Sequence, residues 1–73
     1  MYSLPKQARI DASLSIEEAA KRLKISAGYL SQIENGQRQV SADRAEEIAN
    51  LYQKKKEEIF LPSRYSIREV PAV

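Results

Sequence analysis

The stretch that decides how this chain folds is Ser15–Gly36, "SIEEAAKRLKISAGYLSQIENG". Ser15 offers a hydroxyl to the free amides of a helix start, and Glu18, three residues on, completes a capping box. Ile16, Ala19, Ala20 and Leu23 then recur at i, i+3, i+4 and i+7, a narrow apolar stripe of helical period. Lys21, Arg22 and Lys24 gather near its end, where positive charge suits the helix dipole. This helix is predicted to stop by Lys24. After Ile25, a candidate for burial, Ser26 caps a second helix whose apolar face is Leu30 and Ile33, and Asn35-Gly36 closes it. The second helix holds Ala27, Gly28, Tyr29 and Gln32 away from that apolar face. A helix so small and polar, in a chain that needs every apolar residue it can bury, has a reason to exist other than the core.

Working outward, the pattern stays helical. Upstream, a helix is expected from Ser3 or Leu4 to about Ala12, with Pro5 in the first turn, where its missing N–H costs nothing, and Ile10 and Leu14 facing inward. Downstream, Ser41 caps a helix running to about Tyr52, with Ala45, Ile48, Ala49 and Tyr52 in register. "QKKKEEIF", 53–60, either continues it or makes a short fifth helix that returns Ile59 and Phe60 to the core, and Pro62 ends it. The expectation is an all-α chain of four to five helices over residues 1–61. A short C-terminal tail, 62–73, carries a weak Tyr65/Ile67 alternation. Seventy-three residues supply one small domain with one core, which is marginally stable by itself.

Composition removes whole classes of chemistry. There is no cysteine and no histidine, so there is no disulfide framework, no cysteine-based metal site or nucleophile, and neither the commonest general base nor the commonest zinc ligand. Asp11, Ser13, Ser15 and Asp43 are explained by caps and turns and form no catalytic set. No enzyme activity, cofactor or metal is expected. The opening "MYSLPKQARIDAS" lacks an apolar signal core and no run approaches a membrane span, so a soluble, cytoplasmic chain is expected. The formal net charge is +2 and the sequence pI about 9.0, compatible with nucleic acid but no argument for it alone. Lys54–Glu58, "KKKEE", reads as a solvated junction in which acids offset bases.

Two short helices joined through Lys24, Ile25 and Ser26, with small Ala20 where they cross and Leu30 and Ile33 behind, resemble the phage repressor and Cro-like (Xre-type) helix-turn-helix family. The resemblance runs from about Arg9 to Phe60 and includes the closing "EEIF". It implies a compact lambda-repressor-like domain with its motif at about 15–36 and a recognition helix at about 27–35, which in that family enters the DNA major groove. Carried over by position, Ala27, Gly28, Tyr29 and Gln32 would face the bases. Gln32 can pair bidentately with adenine N6 and N7. Tyr29 can meet a base edge, a thymine methyl or a phosphate. Ala27 and Gly28 offer only apolar contact or close approach, which gives DNA shape a larger part. Ser15, Ser26, Asn35, Gln37 and Arg38 would position phosphates. Arg9 and Glu34 stand where the phage repressors place a partly buried ion pair.

Four positions depart from the family pattern. Ile16 replaces a backbone-contacting glutamine, Ala19 a larger core residue, Lys24 a turn glycine, and Val40 stands near a common loop proline. The function implied is a sequence-specific, double-stranded DNA-binding transcriptional regulator of repressor type. It is expected to be a homodimer joined through the fourth-to-fifth helix region and the tail. The rival is a protein-interaction or antitoxin-like module that keeps the helix-turn-helix core and docks a protein partner through the tail or the third helix.

Overall fold

Four serines set the architecture. The computed structural model describes residues 3–61, and the expected tail, 62–73, with the Pro62 stop, lies outside the described residues. The helices are α1 (Leu4–Asp11), α2 (Ile16–Leu23), α3 (Ala27–Glu34), α4 (Ala42–Leu51) and α5 (Lys56–Ile59). Ser3, Ser15, Ser26 and Ser41 cap the first four, each hydroxyl accepting the backbone N–H three residues on, from Lys6, Glu18, Tyr29 and Arg44 at 3.1–3.2 Å. Each such cap stabilises its helix by about 1 kcal/mol. The capping box of α2 is closed by the Ser15 backbone N–H, which donates to Glu18 Oε1 at 3.3 Å. That backbone bond first, and then the Ser15 side chain, hold the Glu18 carboxyl below its ordinary pKa.

The first four helices also end alike, each in a residue with left-handed backbone. Ser13 (φ 61°), Lys24 (φ 60°), Gly36 (φ 77°) and Gln53 (φ 59°) occupy these places. Each lets the next N–H reach back five residues to a free carbonyl: Leu14 to Arg9, Ile25 to Ala20, Gln37 to Gln32 and Lys54 to Ala49, at 2.9–3.2 Å. Glycine is the usual occupant; for the other three the left-handed conformation costs about 1 kcal/mol or more. Because the chain turns at Gln53, α5 is a separate helix and not a continuation of α4.

The core is small and closes from both ends of the chain. Leu30, Ile33, Ile48 and Phe60 are its largest fully buried apolar side chains apart from Pro5, and Ala19, Ala20, Ala45 and Ala49 let the helices approach. α2 packs on α3 and α4, and α5 on α4 and α1. Leu14, Tyr52 and Ile59 are buried as expected, whereas Ile10 is not: it remains 43% exposed. The inward face of α1 is Pro5, Ala8 and Arg9, positions i, i+3 and i+4, so the next residue is carried about 100° round toward solvent. Ile25 is half-buried at the edge of the core, its turn position leaving one side open.

Candidate nucleic-acid interface

α3 divides its surface sharply. Leu30, Ile33 and Glu34 are buried, Gly28 and Gln32 are exposed, and Ala27 and Tyr29 are half-buried with part of each packed on the core. Of the four residues expected to face bases, two therefore also support the fold. A Cβ built on Gly28 would meet no heavy atom within 4 Å, and its backbone φ is not positive. Nothing among the described residues requires glycine there, although it weakens the helix.

The loop after α3 returns to the same surface. Arg38 Nε donates to Gln32 Oε1 at 2.6 Å, and the guanidinium carbon lies 5.5 Å from the centroid of the Tyr29 ring, within cation–π range. Tyr29, Gln32 and Arg38 thus form one cluster. Each was legible as a candidate, but their contact was not. The Ser15 and Ser26 hydroxyls accept backbone N–H groups and keep their own hydrogens as donors. The two sites differ in charge. Glu17 and Glu18 occupy the first turn of α2, while the first turn of α3 holds no acid, so an anion is better received at Ser26 than at Ser15. Asn35 Nδ2 reaches Ser31 Oγ at 3.5 Å, the limit of a hydrogen bond, and Asn35 and Gln37 are both exposed.

Behind this surface lies the Arg9–Glu34 pair. Arg9 Nε donates to Glu34 Oε2 at 2.7 Å and Nη2 to Oε1 at 3.2 Å, while Nη1 donates to the Leu14 carbonyl at 3.0 Å. Arg9 is 8% and Glu34 4% exposed. The hydrogen bond to Glu34 leads the causes that raise the arginine pKa, so its charge is permanent at any working pH. One guanidinium therefore ties α1, the α1–α2 loop and the last turn of α3. Sequence reasoning missed a second tie: Arg44 Nη1 donates to the Leu23 carbonyl at 3.3 Å, joining α4 to the end of α2. No local signal separates Arg44 from a solvated arginine.

A cleft of about 500 Å³ between the α1–α2 loop and the end of α4 is lined by Asp11, Ser13, Glu18, Arg22, Gln53 and Lys54, among others, and holds none of the candidate DNA-facing residues. Among the described residues no three histidine, cysteine or acidic side chains gather as a metal site.

A family model described as helix-turn-helix matches residues 6–59. The chain belongs to the Cro/C1-type, Xre-like helix-turn-helix family. That membership points to a DNA-binding regulator, in a family that is typically non-enzymatic. No curated protein and no solved structure matches the chain significantly. Among the described residues no helix is long and apolar enough to cross a membrane.

Seen as a member of this helix-turn-helix family, the chain accommodates its departures locally. Ile16 packs, half-buried, against the core to which fully buried Ala19 belongs. Lys24 takes the left-handed turn itself, with φ 60° and ψ 40°. Val40 is 7% exposed and seals the loop that leads into α4.

Proposed function

We propose that this helix-turn-helix protein is a sequence-specific, double-stranded DNA-binding transcriptional regulator. In this reading it is a repressor-type homodimer in the cytoplasm and reads the major groove with residues 27–35. The observation that carries the reading is the outward face of α3. It presents Gly28 and Gln32 with no core duty, beside Arg38 from the following loop and a capped N-terminus free of acidic residues. Ala27, Gly28, Tyr29 and Gln32 meet the base edges in this reading. Ser26, Asn35, Gln37 and Arg38 take phosphates, with Ser15 the weakest of the set because of Glu17 and Glu18. Residues 1–61 form the DNA-binding domain, and the fourth-to-fifth helix region with the tail joins the two subunits.

Selection of binding sites from random duplex DNA at moderate salt, using the full chain, tests this. The expected result is an inverted repeat with half-sites about 34–36 Å apart. Affinity for it should fall steeply with salt, as phosphate neutralisation releases counter-ions. Failure to enrich any sequence with a folded protein refutes the reading. A folded chain whose binding ignores salt points instead to a protein partner.

A further inference from the structure

Sequence position assigns Arg38 to phosphate alone, but the structure gives it a second task. Its Nε–H bonds the Gln32 side-chain oxygen at 2.6 Å, and its guanidinium rests 5.5 Å from the centre of the Tyr29 ring. Tyr29 packs in turn on the core, so the ring is an anchored platform. A guanidinium has donors and no acceptor, so the Gln32 atom that faces it must be the carbonyl oxygen. The usual ambiguity between the two ends of a glutamine amide is thereby removed on chemical grounds, and the Gln32 amino group is left as the free end.

This matters for which base the side chain can recognise. A free glutamine reads adenine by accepting from N6 and donating to N7. Here one of the two carbonyl lone pairs is taken, and the guanidinium charge beside the other repels the adenine amino hydrogens. The outward end that keeps its full capacity is the donor. Guanine presents two acceptors, N7 and O6, on the corresponding edge, and the guanidinium N–H groups not bonded to Gln32 add further donors beside it.

Resting on the proposed reading of the major groove by α3, we propose that Arg38 is a specificity-determining residue. By holding the Gln32 carbonyl and placing a positive charge beside it, Arg38 biases the Gln32–Arg38 pair to donate, so that it selects guanine over adenine at the base pair Gln32 faces. Arg38 acts there as a positioning residue as well as a phosphate contact.

The test is site selection from random duplex DNA with the full-length wild type, Q32A, R38A and R38M, each first shown to be folded by circular dichroism. Arg38 is exposed, and R38M keeps an aliphatic stem without donors. Q32A identifies the base pair by losing preference at one position. At that position the wild type should favour guanine over adenine by about 5- to 150-fold. R38A and R38M should lose that preference or turn it toward adenine, beyond a general loss of affinity. If the wild type prefers another base there, if Q32A changes no position, or if both Arg38 variants weaken every sequence equally and still prefer guanine, the inference is overturned while the reading of DNA by α3 stands. If the wild type enriches no sequence at all, that reading falls and the inference with it.

Discussion

Replacing Glu34 with alanine strands a charge that the fold has nowhere to put. Arg9 keeps one bond, from Nη1 to the Leu14 carbonyl at 3.0 Å, but loses those at 2.7 and 3.2 Å to the carboxylate, at a site where it is only 8% exposed. Removing one partner of a buried pair costs about 3–5 kcal/mol. A chain of 73 residues, at about 0.05–0.15 kcal/mol per residue, has about 4–11 kcal/mol in total. Glu34→Ala should therefore lose at least a quarter of the stability and up to all of it. Its melting temperature should fall by at least about 12 °C, at about 4–8 °C per kcal/mol for a domain of this size. Urea unfolding followed by circular dichroism at neutral pH measures Glu34→Ala against wild type, and Arg9→Met, Glu34→Leu and the double variant Arg9→Met/Glu34→Leu close a mutant cycle with wild type. The double variant should recover most of the loss, because apolar replacement of a whole buried pair is often neutral or better. A loss under about 1 kcal/mol in Glu34→Ala, the range of exposed pairs, refutes the buried-charge argument. So does a double variant as unstable as the worse single one.

Three further substitutions probe other features. The Tyr52 hydroxyl is buried with no hydrogen-bond partner among the described residues, so Tyr52→Phe should gain about 1–2 kcal/mol in urea unfolding; a loss would mean that the hydroxyl is satisfied. Burial first, and then the Glu34 charge, raise the Tyr52 pKa above its ordinary value of 10.0. Its contribution to folding is therefore whole below about pH 10 and lost as pH climbs toward the folded value, by up to about 1.4 kcal/mol per pH unit. Stability measured from pH 9 upward should decline less steeply in Tyr52→Phe. Gln53→Gly relieves a left-handed residue at φ 59° and should add about 0.5–1 kcal/mol after the entropy of glycine is subtracted, with no change in melting temperature counting against strain there. Gly28→Ala, whose new methyl meets open space, should raise stability by up to about 1 kcal/mol yet weaken DNA binding; unchanged affinity would remove Gly28 from the contact surface.

Local chemistry was readable where one residue decides it. Ser15, Ser26 and Ser41 cap their helices as expected, because a serine ahead of an apolar period has few other uses; Ser3, left open as a start with Leu4, proves to be a cap as well. The left-handed ends at Ser13 and Gln53 were not readable, since neither side chain advertises a positive φ and only the backbone bond of the following residue, Leu14 to Arg9 or Lys54 to Ala49, calls for it. Ile10 misleads for a similar reason. Periodicity prefers the aliphatic residue inside, but a carboxylate 25 residues away makes Arg9 the better inward choice. Only the likeness to the repressor family drew attention to that pair. The Gln32–Arg38 bond spans six residues across a turn at Gly36, and spacing alone cannot place two side chains on opposite sides of a loop in contact.

The ion pair and the outward face of α3 are linked by geometry. An eight-residue helix is too short to persist alone in water, and α3 gives the core only Leu30, Ile33 and Glu34 as fully buried residues. Apolar contacts tolerate some rotation of a helix about its axis, because they are non-directional. A two-point bond from Arg9 to the Glu34 carboxylate tolerates far less, since both donors and both acceptors must stay aligned. Glu34 lies two residues after Gln32, about 200° round the helix, so fixing one inward fixes the other outward. On this argument the buried charges serve the direction of Gln32 more than the stability of the fold. The double variant Arg9→Met/Glu34→Leu should then remain folded while its base preference at the Gln32 position weakens several-fold relative to its overall DNA affinity. Undiminished preference in a stable double variant would show that the apolar contacts of α3 orient the helix without the ion pair.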